Sequence, residues 1–341
     1  MLQYALLLLG IGAGWLTGTY ARPIAARFGL FDYPDAAGGR KLHKDVTPLV
    51  GGFGVVGAAL GGAFAMLLFG GPDVSRQMLL WFMFGTSSMF LLGTFDDLKE
   101  LSARFRLLVA ALIMALTTTQ VSDFGVHFLL FSGQNALIIL PGLAGLAFTI
   151  LCFVGLLNAV NMADGKNGLV IGQAIIWTII LYLRLPQALA PLILCILGAL
   201  CVLFCFNMRG KLFLGDGGSY GLSAMFGLLA IYCWNQGFAD MYADDIALIF
   251  AVPVFDTIRL MIWRTVQGKT PFTAGRDHLH HYLYTRWGWP APLPWVLALV
   301  AIPNFAAVAM PGTGLLWLGV TFAGYVLMLW VAVAWPRTRT A

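Results

Sequence analysis

The chain has 341 residues, of which 60% are hydrophobic and only 10% are charged. Soluble globular proteins carry about 25% charged residues, so this composition excludes an ordinary soluble fold. The net charge of +5 gives no reason to expect a nucleic-acid partner, because membrane topology already accounts for an excess of basic residues.

Apolar runs recur along nearly the whole chain, and many are long enough to cross a hydrocarbon core of about 30 Å. They cover 2–21, 49–69, 78–95, 107–122, 136–160, 168–183, 188–206, 219–236, 246–263, 293–310 and 314–335. Each span must satisfy its backbone hydrogen bonds internally. The sequence therefore predicts an all-α polytopic membrane protein with about eleven (10–11) transmembrane helices, forming a single domain over 1–341.

The basic residues predict the orientation of these spans. Of the 20 Lys and Arg residues, 18 lie in or beside the loops on one side, and only Arg76 and Arg184 lie on the other. The positive-inside rule makes the rich side cytoplasmic. Because no basic residue precedes the first apolar run, that run is predicted to be a retained span with its N-terminus outside.

Five polar loops open on the predicted cytoplasmic side. They read GGRKLHKDVTPLVGG, FDDLKELSARFR, NAVNMADGKNG, NMRGKLFLGDGGS and GKTPFTAGRDHLHHYL. A transporter for an anionic substrate, the alternative class, would more often place its ionisable groups near the bilayer midplane. A ring of polar loops at one interface instead predicts an enzyme site where a water-soluble substrate meets a membrane-held one.

The second of these loops sets Asp96 beside Asp97 at the rim of a span. One interpretation is a polar loop where a helix leaves the bilayer. The functional alternative is a metal or proton site.

The third loop places Asn158, Asn161, Asp164 and Asn167 at intervals of three residues. On a helix end these side chains lie roughly on one face. Helix capping explains many such clusters. Four side chains with one orientation also suit ribose hydroxyls, a base edge or a hydrated metal ion.

The fourth loop holds Asp216 between Gly215 and Gly217. It is either a flexible turn in which Ser219 caps the next helix, or an anion site at a helix N-terminus. In the second case the carboxylate beside bound phosphate is a Mg²⁺ ligand, because Mg²⁺ bridges one or two carboxylates to substrate phosphates.

The last polar loop contains His278, His280 and His281. Their spacing is not that of a helical zinc protease, and Arg276 just before them favours phosphate recognition over zinc.

Within the ninth span, Asp256 is either a functional intramembrane carboxylate or the partner of Arg259. The acids predicted to be solvated on the outer side are Asp73, Asp123, Asp240, Asp244 and Asp245.

Together and in this order, the motifs resemble those of the polyprenyl-phosphate N-acetylhexosamine-1-phosphate transferase superfamily. The resemblance runs from RKLHKDVTPLVGG to GRDHLHH, over most of the chain. It implies transfer of a sugar 1-phosphate, most simply GlcNAc-1-phosphate, from a UDP-N-acetylhexosamine to undecaprenyl phosphate, with release of UMP. It further implies Mg²⁺ (or Mn²⁺), a homodimer and the inner membrane of a bacterium. The HLHH form favours the GlcNAc branch over the alternative, the phospho-MurNAc-pentapeptide transferases of peptidoglycan synthesis.

The resemblance also implies roles for individual residues. The predicted catalytic groups are Asp96, Asp97, Asp164, Asp216, His278, His280 and His281. The predicted substrate-binding groups are Asn158, Asn161, Asn207 and Phe213 for the nucleoside, Arg276 for diphosphate or sugar, and Arg40, Lys41, His43 and Lys44 for the lipid phosphate or headgroups. Arg104 is a further predicted binding residue without an assigned substrate group. The predicted metal ligands are Asp216, Asp97 and Asn161.

Three positions depart from the superfamily pattern. Asn167 stands where an Asp is usual, Arg104 where a Lys is usual, and Gly275 where an Asp is usual. Asn167 keeps an oxygen ligand but cannot act as a base. The resemblance therefore does not support an acid–base role at position 167, and it does not establish which UDP-sugar is the donor.

Overall fold

The computed structural model describes residues 1–34, 45–134, 136–237, 241–270 and 275–334. Over these ranges the chain is mainly α-helical. The helices are α1 (Leu2–Thr19), α2 (Ala21–Phe28), α3 (Gly51–Phe69), α4 (Arg76–Lys99), α5 (Ala103–Gln120), α6 (Leu143–Ala163), α7 (Leu169–Arg184), α8 (Ala190–Met208), α9 (Gly215–Gly237), α10 (Ala243–Ile249), α11 (Ala251–Val266), α12 (Leu279–Trp287), α13 (Leu293–Ala309) and α14 (Gly314–Ala334).

Each predicted apolar run overlaps at least one of these helices. Within the described ranges, six of them (α1, α3, α4, α6, α8 and α14) are long and apolar enough to cross a membrane, and α10 with α11 makes a seventh if the bent pair is one span. The all-α, multi-pass membrane class predicted from the sequence is therefore confirmed.

The fifth and ninth predicted spans differ from the observed elements. Residue 136 does not begin a helix, because β4 (Ile138–Ile139) pairs with β3 (Phe128–Leu129) and α6 begins at Leu143. The run 246–263 is not one straight helix, because α10 and α11 meet at an angle of 80°. Pro253 has no N–H to donate back across this break, so the helical hydrogen-bond ladder is interrupted there.

The helix α9 forms the centre of the bundle. Its residues from Gly217 to Trp234 are all buried, and it packs against α3, α4, α6 and α7. Its approach to α4 is close, since a Cβ on Gly93 would lie 2.2 Å from the carbonyl oxygen of Asp216. Small residues allow such backbone contact between membrane helices, and this contact brings the end of α4 to the start of α9.

A short antiparallel strand pair ties the first polar loop to the same place. β1 (Phe31–Asp32) pairs with β2 (Thr47–Pro48). The chain after β2 then lies beside the segment that precedes α9, with Phe213 donating its N–H to Pro48 and accepting from Gly51. Two polar loops far apart in sequence are thereby joined.

Two acids predicted to be solvated are buried instead. Asp244 is fully buried and Asp245 is 4% exposed. Asp244 accepts the backbone N–H and the hydroxyl of Ser132 at 2.8 and 2.7 Å, and Asp245 lies 3.8 Å from the guanidinium of Arg184. The prediction was wrong because loop-like spacing in the sequence does not show that the start of α14 closes over these carboxylates.

Candidate active site

Asp97 caps the N-terminus of α9. Its two carboxylate oxygens accept the backbone N–H groups of Asp216 and Gly217, each at 3.1 Å. Carboxylates are favoured at helix N-termini because the first N–H groups have no partner within the helix. Gly215, at φ +76°, makes the turn that precedes this cap, and a Cβ there would lie 2.9 Å from Asp97 Oδ2.

Asp216 faces the end of α6. The side-chain amide of Asn161 donates to Asp216 Oδ1 at 2.6 Å and to the hydroxyl of Ser219 at 3.2 Å. The carboxylates of Asp96 and Asp97 are near enough to act electrostatically on Asp216. Acidic groups from α4 and α9 are thus gathered at one point, with an amide from α6 beside them.

Asp96 is buried and heavily hydrogen-bonded. Its Oδ1 accepts the N–H of Leu101 at 2.9 Å, and its Oδ2 accepts the hydroxyl of Tyr220 at 2.8 Å and the guanidinium of Arg106. Such saturation holds a buried carboxylate in one orientation.

Asp164 ends α6 and lies within the electrostatic reach of Asp216. Burial, together with the charge of Asp216, raises the pKa of Asp164 to about 7. A buried carboxyl group with a strongly shifted pKa beside a second carboxylate is typical of functional sites.

The three histidines are grouped next to this carboxylate cluster, with His278 and His280 stacked and His281 tilted against both. The ring centroids of His278 and His280 are 5.3 Å apart, and those of His280 and His281 are 4.3 Å apart. Nδ1 of His278 lies 3.0 Å from Oδ2 of Asp256. Asp256 also accepts from Arg259 at 2.8 Å, so it serves both as the ion-pair partner of Arg259 and as the anchor of the histidine motif.

His280 links the histidine motif to the end of α6. A Cβ on Gly165 would lie 2.2 Å from Nε2 of His280. That nitrogen is buried without a hydrogen-bond partner in the described part of the chain, and burial lowers the pKa of His280 well below its ordinary value. The glycine after Asp164 is therefore needed to admit a neutral imidazole.

We expect Gly165→Ala to destabilise the protein by about 1–3 kcal/mol, the usual cost of overpacking, and to lower activity by displacing His280. The double variant Gly165→Ala/His280→Ala removes the clash, so it should be no less stable than His280→Ala alone. Unfolding midpoints and transfer rates of the four proteins give the comparison. Additive losses would show that the two residues do not compete for space.

His281 is predicted to make the protein sensitive to acid. Burial, together with the electrostatic influence of His278, Lys166 and Arg276, lowers the pKa of His281 to about 4. The unfolded chain, with a histidine pKa near 6.5, then binds this proton more readily than the folded one. Stability should therefore fall as the pH drops from about 6.5 to about 4. Melting temperatures across this range should fall less steeply for His281→Gln than for the wild-type protein.

Asn207 and Phe213 were predicted to bind the nucleoside. Asn207 uses both ends of its amide within the fold, accepting the N–H of Gly168 at 2.5 Å and donating to the carbonyl of Leu212 at 2.9 Å. Phe213 is half-buried and bridges to Leu49 through its backbone. The contacts of Asn207 are those of a structural link between two loops, and both nucleoside roles stay predictions.

The remaining predicted residues are placed less centrally. Asn158 is half-buried and donates to the carbonyl of Val154 one turn back, and Arg104 and Arg276 are exposed. The backbone carbonyl of Asn167 accepts from the indole of Trp289 at 2.9 Å. Arg40, Lys41, His43 and Lys44 lie outside the described residues, and their lipid-phosphate contacts stay predictions.

Sequence reasoning missed several residues that hold the site together. Arg106 and Tyr220 bind Asp96, and Tyr325 binds Asp256, whose pairing with Arg259 was one of the two expected readings. Arg106 ends the motif that begins with the two aspartates, and this was the one signal available. The tyrosines lie inside apolar runs and carry no signal of their own.

The comparisons with known proteins agree with this arrangement. A family model described as glycosyl transferase family 4 matches residues 79–234. The undecaprenyl-phosphate alpha-N-acetylglucosaminyl 1-phosphate transferase of Yersinia pestis is 30% identical over 311 residues, which are 86% of this chain and 79% of that protein. The chain belongs to glycosyl transferase family 4.

Two further relatives cover similar shares of the chain. The transferase of the same name from Salmonella typhi is 29% identical over 306 residues, 85% of this chain and 78% of that protein. A probable undecaprenyl-phosphate N-acetylglucosaminyl 1-phosphate transferase from Bacillus subtilis (strain 168) is 27% identical over 269 residues, 76% and 71% of the two chains. The segment matched by the glycosyl transferase family 4 model contains the whole carboxylate cluster, and the histidine motif follows it.

Proposed function

We propose that this protein transfers N-acetylglucosamine 1-phosphate from UDP-N-acetylglucosamine to undecaprenyl phosphate, giving a lipid diphosphosugar and UMP. The relatives named for this reaction align with most of the chain. The observation that carries the proposal is the meeting of Asp97, Asn161 and Asp216 at the N-terminus of a buried helix, where carboxylate and amide oxygens can hold the counter-ion of a substrate phosphate.

In the proposed reaction an oxygen of the lipid phosphate attacks the β-phosphorus of the UDP-sugar. The bond between that phosphorus and the bridging oxygen breaks, and UMP leaves with the bridging oxygen. A phosphate monoester has its second pKa near 6, so the attacking dianion needs no base at neutral pH. Phosphoryl transfer then depends mainly on alignment and charge neutralisation by the protein.

Asp96 suits positioning better than proton transfer. Its two oxygens already accept from Leu101, Tyr220 and Arg106. A general base needs a lone pair directed at the proton that it removes, whereas this carboxylate is committed to three donors. Its proposed role is to fix the end of α4, and with it the cap that Asp97 forms on α9.

The donor set fits a magnesium ion. Within the described ranges, no three His, Cys, Asp or Glu side chains are arranged to hold a metal ion by themselves. Mg²⁺ usually takes only one or two carboxylates and fills its other positions with water and substrate phosphate. The raised pKa of Asp164 supports a cation here, because a nearby positive charge would favour the ionised carboxylates.

In this proposal Asp216 is the main magnesium ligand and Asn161 orients it. Asp97 stays a candidate outer ligand, since each of its oxygens already accepts one backbone N–H. When bound, Mg²⁺ would neutralise charge on the diphosphate. The histidine motif and Arg276 would hold the diphosphate or the sugar, and Mn²⁺ is the expected substitute ion.

We further propose the finer topology: eleven spans, the polar loops on the cytoplasmic side of a bacterial inner membrane, and a homodimer. The distribution of Lys and Arg supports the orientation. Cysteine-accessibility labelling at Ser102 and at Thr285, both on polar loops or their flanking helices, should report the same side of the membrane.

The function is tested with purified protein in detergent, undecaprenyl phosphate, Mg²⁺ and a panel of UDP-sugars. The expected product is lipid-linked N-acetylglucosamine with one UMP per turnover, and labelled UMP should exchange into UDP-N-acetylglucosamine. Turnover with only UDP-MurNAc-pentapeptide would assign the protein to the peptidoglycan branch. Uptake of a UDP-sugar into proteoliposomes without UMP release would indicate the transporter class.

A further inference from the structure

The last helix of the described chain contributes one polar side chain to the histidine motif. Tyr325, on α14, is 2% exposed. Its hydroxyl accepts the Nε–H of Arg259 at 2.8 Å and donates to Oδ1 of Asp256 at 2.9 Å. Because the oxygen already accepts from Arg259, its proton is directed at Asp256.

Asp256 in turn holds the start of the histidine motif. Its Oδ2 lies 3.0 Å from Nδ1 of His278, and its two oxygens accept the N–H of Leu279 at 3.2 and 3.3 Å. Arg259 donates both to Asp256 and to the backbone carbonyl of Asp277. Three elements, α11, α14 and the start of α12, are therefore joined through one carboxylate.

This network determines which edge of the His278 ring faces the site. A carboxylate on Nδ1 fixes the proton there and leaves a lone pair on Nε2, the edge of the ring that is free to meet a ligand. Nε2 of His278 makes no hydrogen bond within the described ranges of the chain. A carboxylate that could rotate would not hold the ring in this way.

We propose that Tyr325, acting with Arg259, is a positioning residue for His278. It fixes the carboxylate of Asp256, which holds Nδ1 of His278 and presents the lone pair of Nε2 to a hydroxyl of the donor sugar. This inference rests on the proposed transferase function for the identity of the substrate. It assigns a role in the reaction to α14, the helix whose residues are otherwise largely exposed to lipid.

The arrangement is more than an anchor for α14. The other buried residues of α14 are Gly314 and Thr321, and the Thr321 hydroxyl bonds only to the carbonyl of Trp317 one turn back. A phenylalanine would pack against Phe255 as Tyr325 does, without the cost of burying a hydroxyl. The hydroxyl group therefore needs a reason beyond packing, and its directed bond to Asp256 supplies one.

The test compares Tyr325→Phe with a matched control, Thr321→Val, which removes a buried hydroxyl from the same helix without touching Asp256. For Tyr325→Phe we expect kcat to fall roughly tenfold, the effect of losing one hydrogen bond to a charged group, with KM for UDP-N-acetylglucosamine within about twofold of wild type. Thr321→Val should keep wild-type kcat. Arg259→Lys, which retains the charge but not the fork of donors, should follow Tyr325→Phe and carries the same test if that variant does not fold.

The second readout is the protonation pattern of His278, from nitrogen spectra of protein labelled with ¹⁵N-histidine and assigned with His278→Asn. In wild-type protein Nδ1 should carry a proton, and Tyr325→Phe should increase the share of the other neutral tautomer. These spectra need no substrate, so they test the inference even if the proposed transfer activity is absent. An unprotonated Nδ1 in wild-type protein overturns it. So does a Tyr325→Phe variant that melts earlier but keeps wild-type kcat and His278 signals, because that is the result of a helix anchor alone.

Discussion

Asp216→Asn is expected to lower kcat/KM for the transfer reaction by roughly 10²–10³-fold, the usual cost of removing one preorganised electrostatic group at a transition state. The asparagine can still accept the hydrogen bond from Asn161 and can still start α9. The loss should therefore come from the missing charge beside the diphosphate and not from misfolding. Exchange of labelled UMP into UDP-N-acetylglucosamine, measured over a range of Mg²⁺ concentrations, checks this.

The control for this experiment is Asp73→Asn, which removes one negative charge at an exposed position and should exchange at the wild-type rate. An Asp216→Asn protein with wild-type exchange at every Mg²⁺ concentration would remove Asp216 from the proposed ligands. The site would then have to be rebuilt around Asp97 and Asp164.

Asp244→Ala is expected to destabilise the protein by roughly 3 kcal/mol, because it leaves a buried N–H and a buried hydroxyl of Ser132 without their acceptor. The carboxylate also meets the start of α14, where a Cβ on Gly314 would lie 2.3 Å from Asp244 Oδ2. The midpoint of unfolding in detergent measures the effect.

The activity of Asp244→Ala should nevertheless stay at the wild-type level for each folded molecule. Gly314 and Tyr325 are separated by roughly 16 Å along α14, so the change is remote from the histidine motif. Asp244→Asn, which can still accept from the N–H of Ser132, should lose less stability than the alanine variant. Equal losses for the two variants would show that hydrogen bonding is not the source of the effect.

The sequence was sufficient for the helical framework because continuous apolar runs specify membrane helices independently of their neighbours. It was also sufficient to select Asp97, Asn161 and Asp216, which the structure brings into contact. Even numbers of spans separate their loops, and each loop carries polar residues that a plain turn does not need. The residue types and the even number of spans between the loops were enough to place these three side chains on the same side of the membrane.

The supporting residues could not be found in the same way. The bond between Tyr220 and Asp96 depends on how closely α4 approaches α9, and that approach depends on a glycine in each helix. Tyr325 reaches Asp256 only because α11 leaves α10 at 80° and packs against α14. The burial of Asp244 and Asp245 could not be predicted in this way. The helix that covers them, α14, is distant in the sequence, and the residues around these acids give no sign of it.

The central position of α9 has a consequence for how the protein responds to its lipid surroundings. Protein surrounds this helix on every side from Gly217 to Trp234, so it makes no direct contact with acyl chains. Changes in bilayer thickness act on the hydrophobic length of lipid-facing helices, such as the largely uncovered α14. Reconstitution into shorter-chain or longer-chain lipids should therefore disturb the side of the catalytic centre that α14 supports before it disturbs the carboxylates around Asp216.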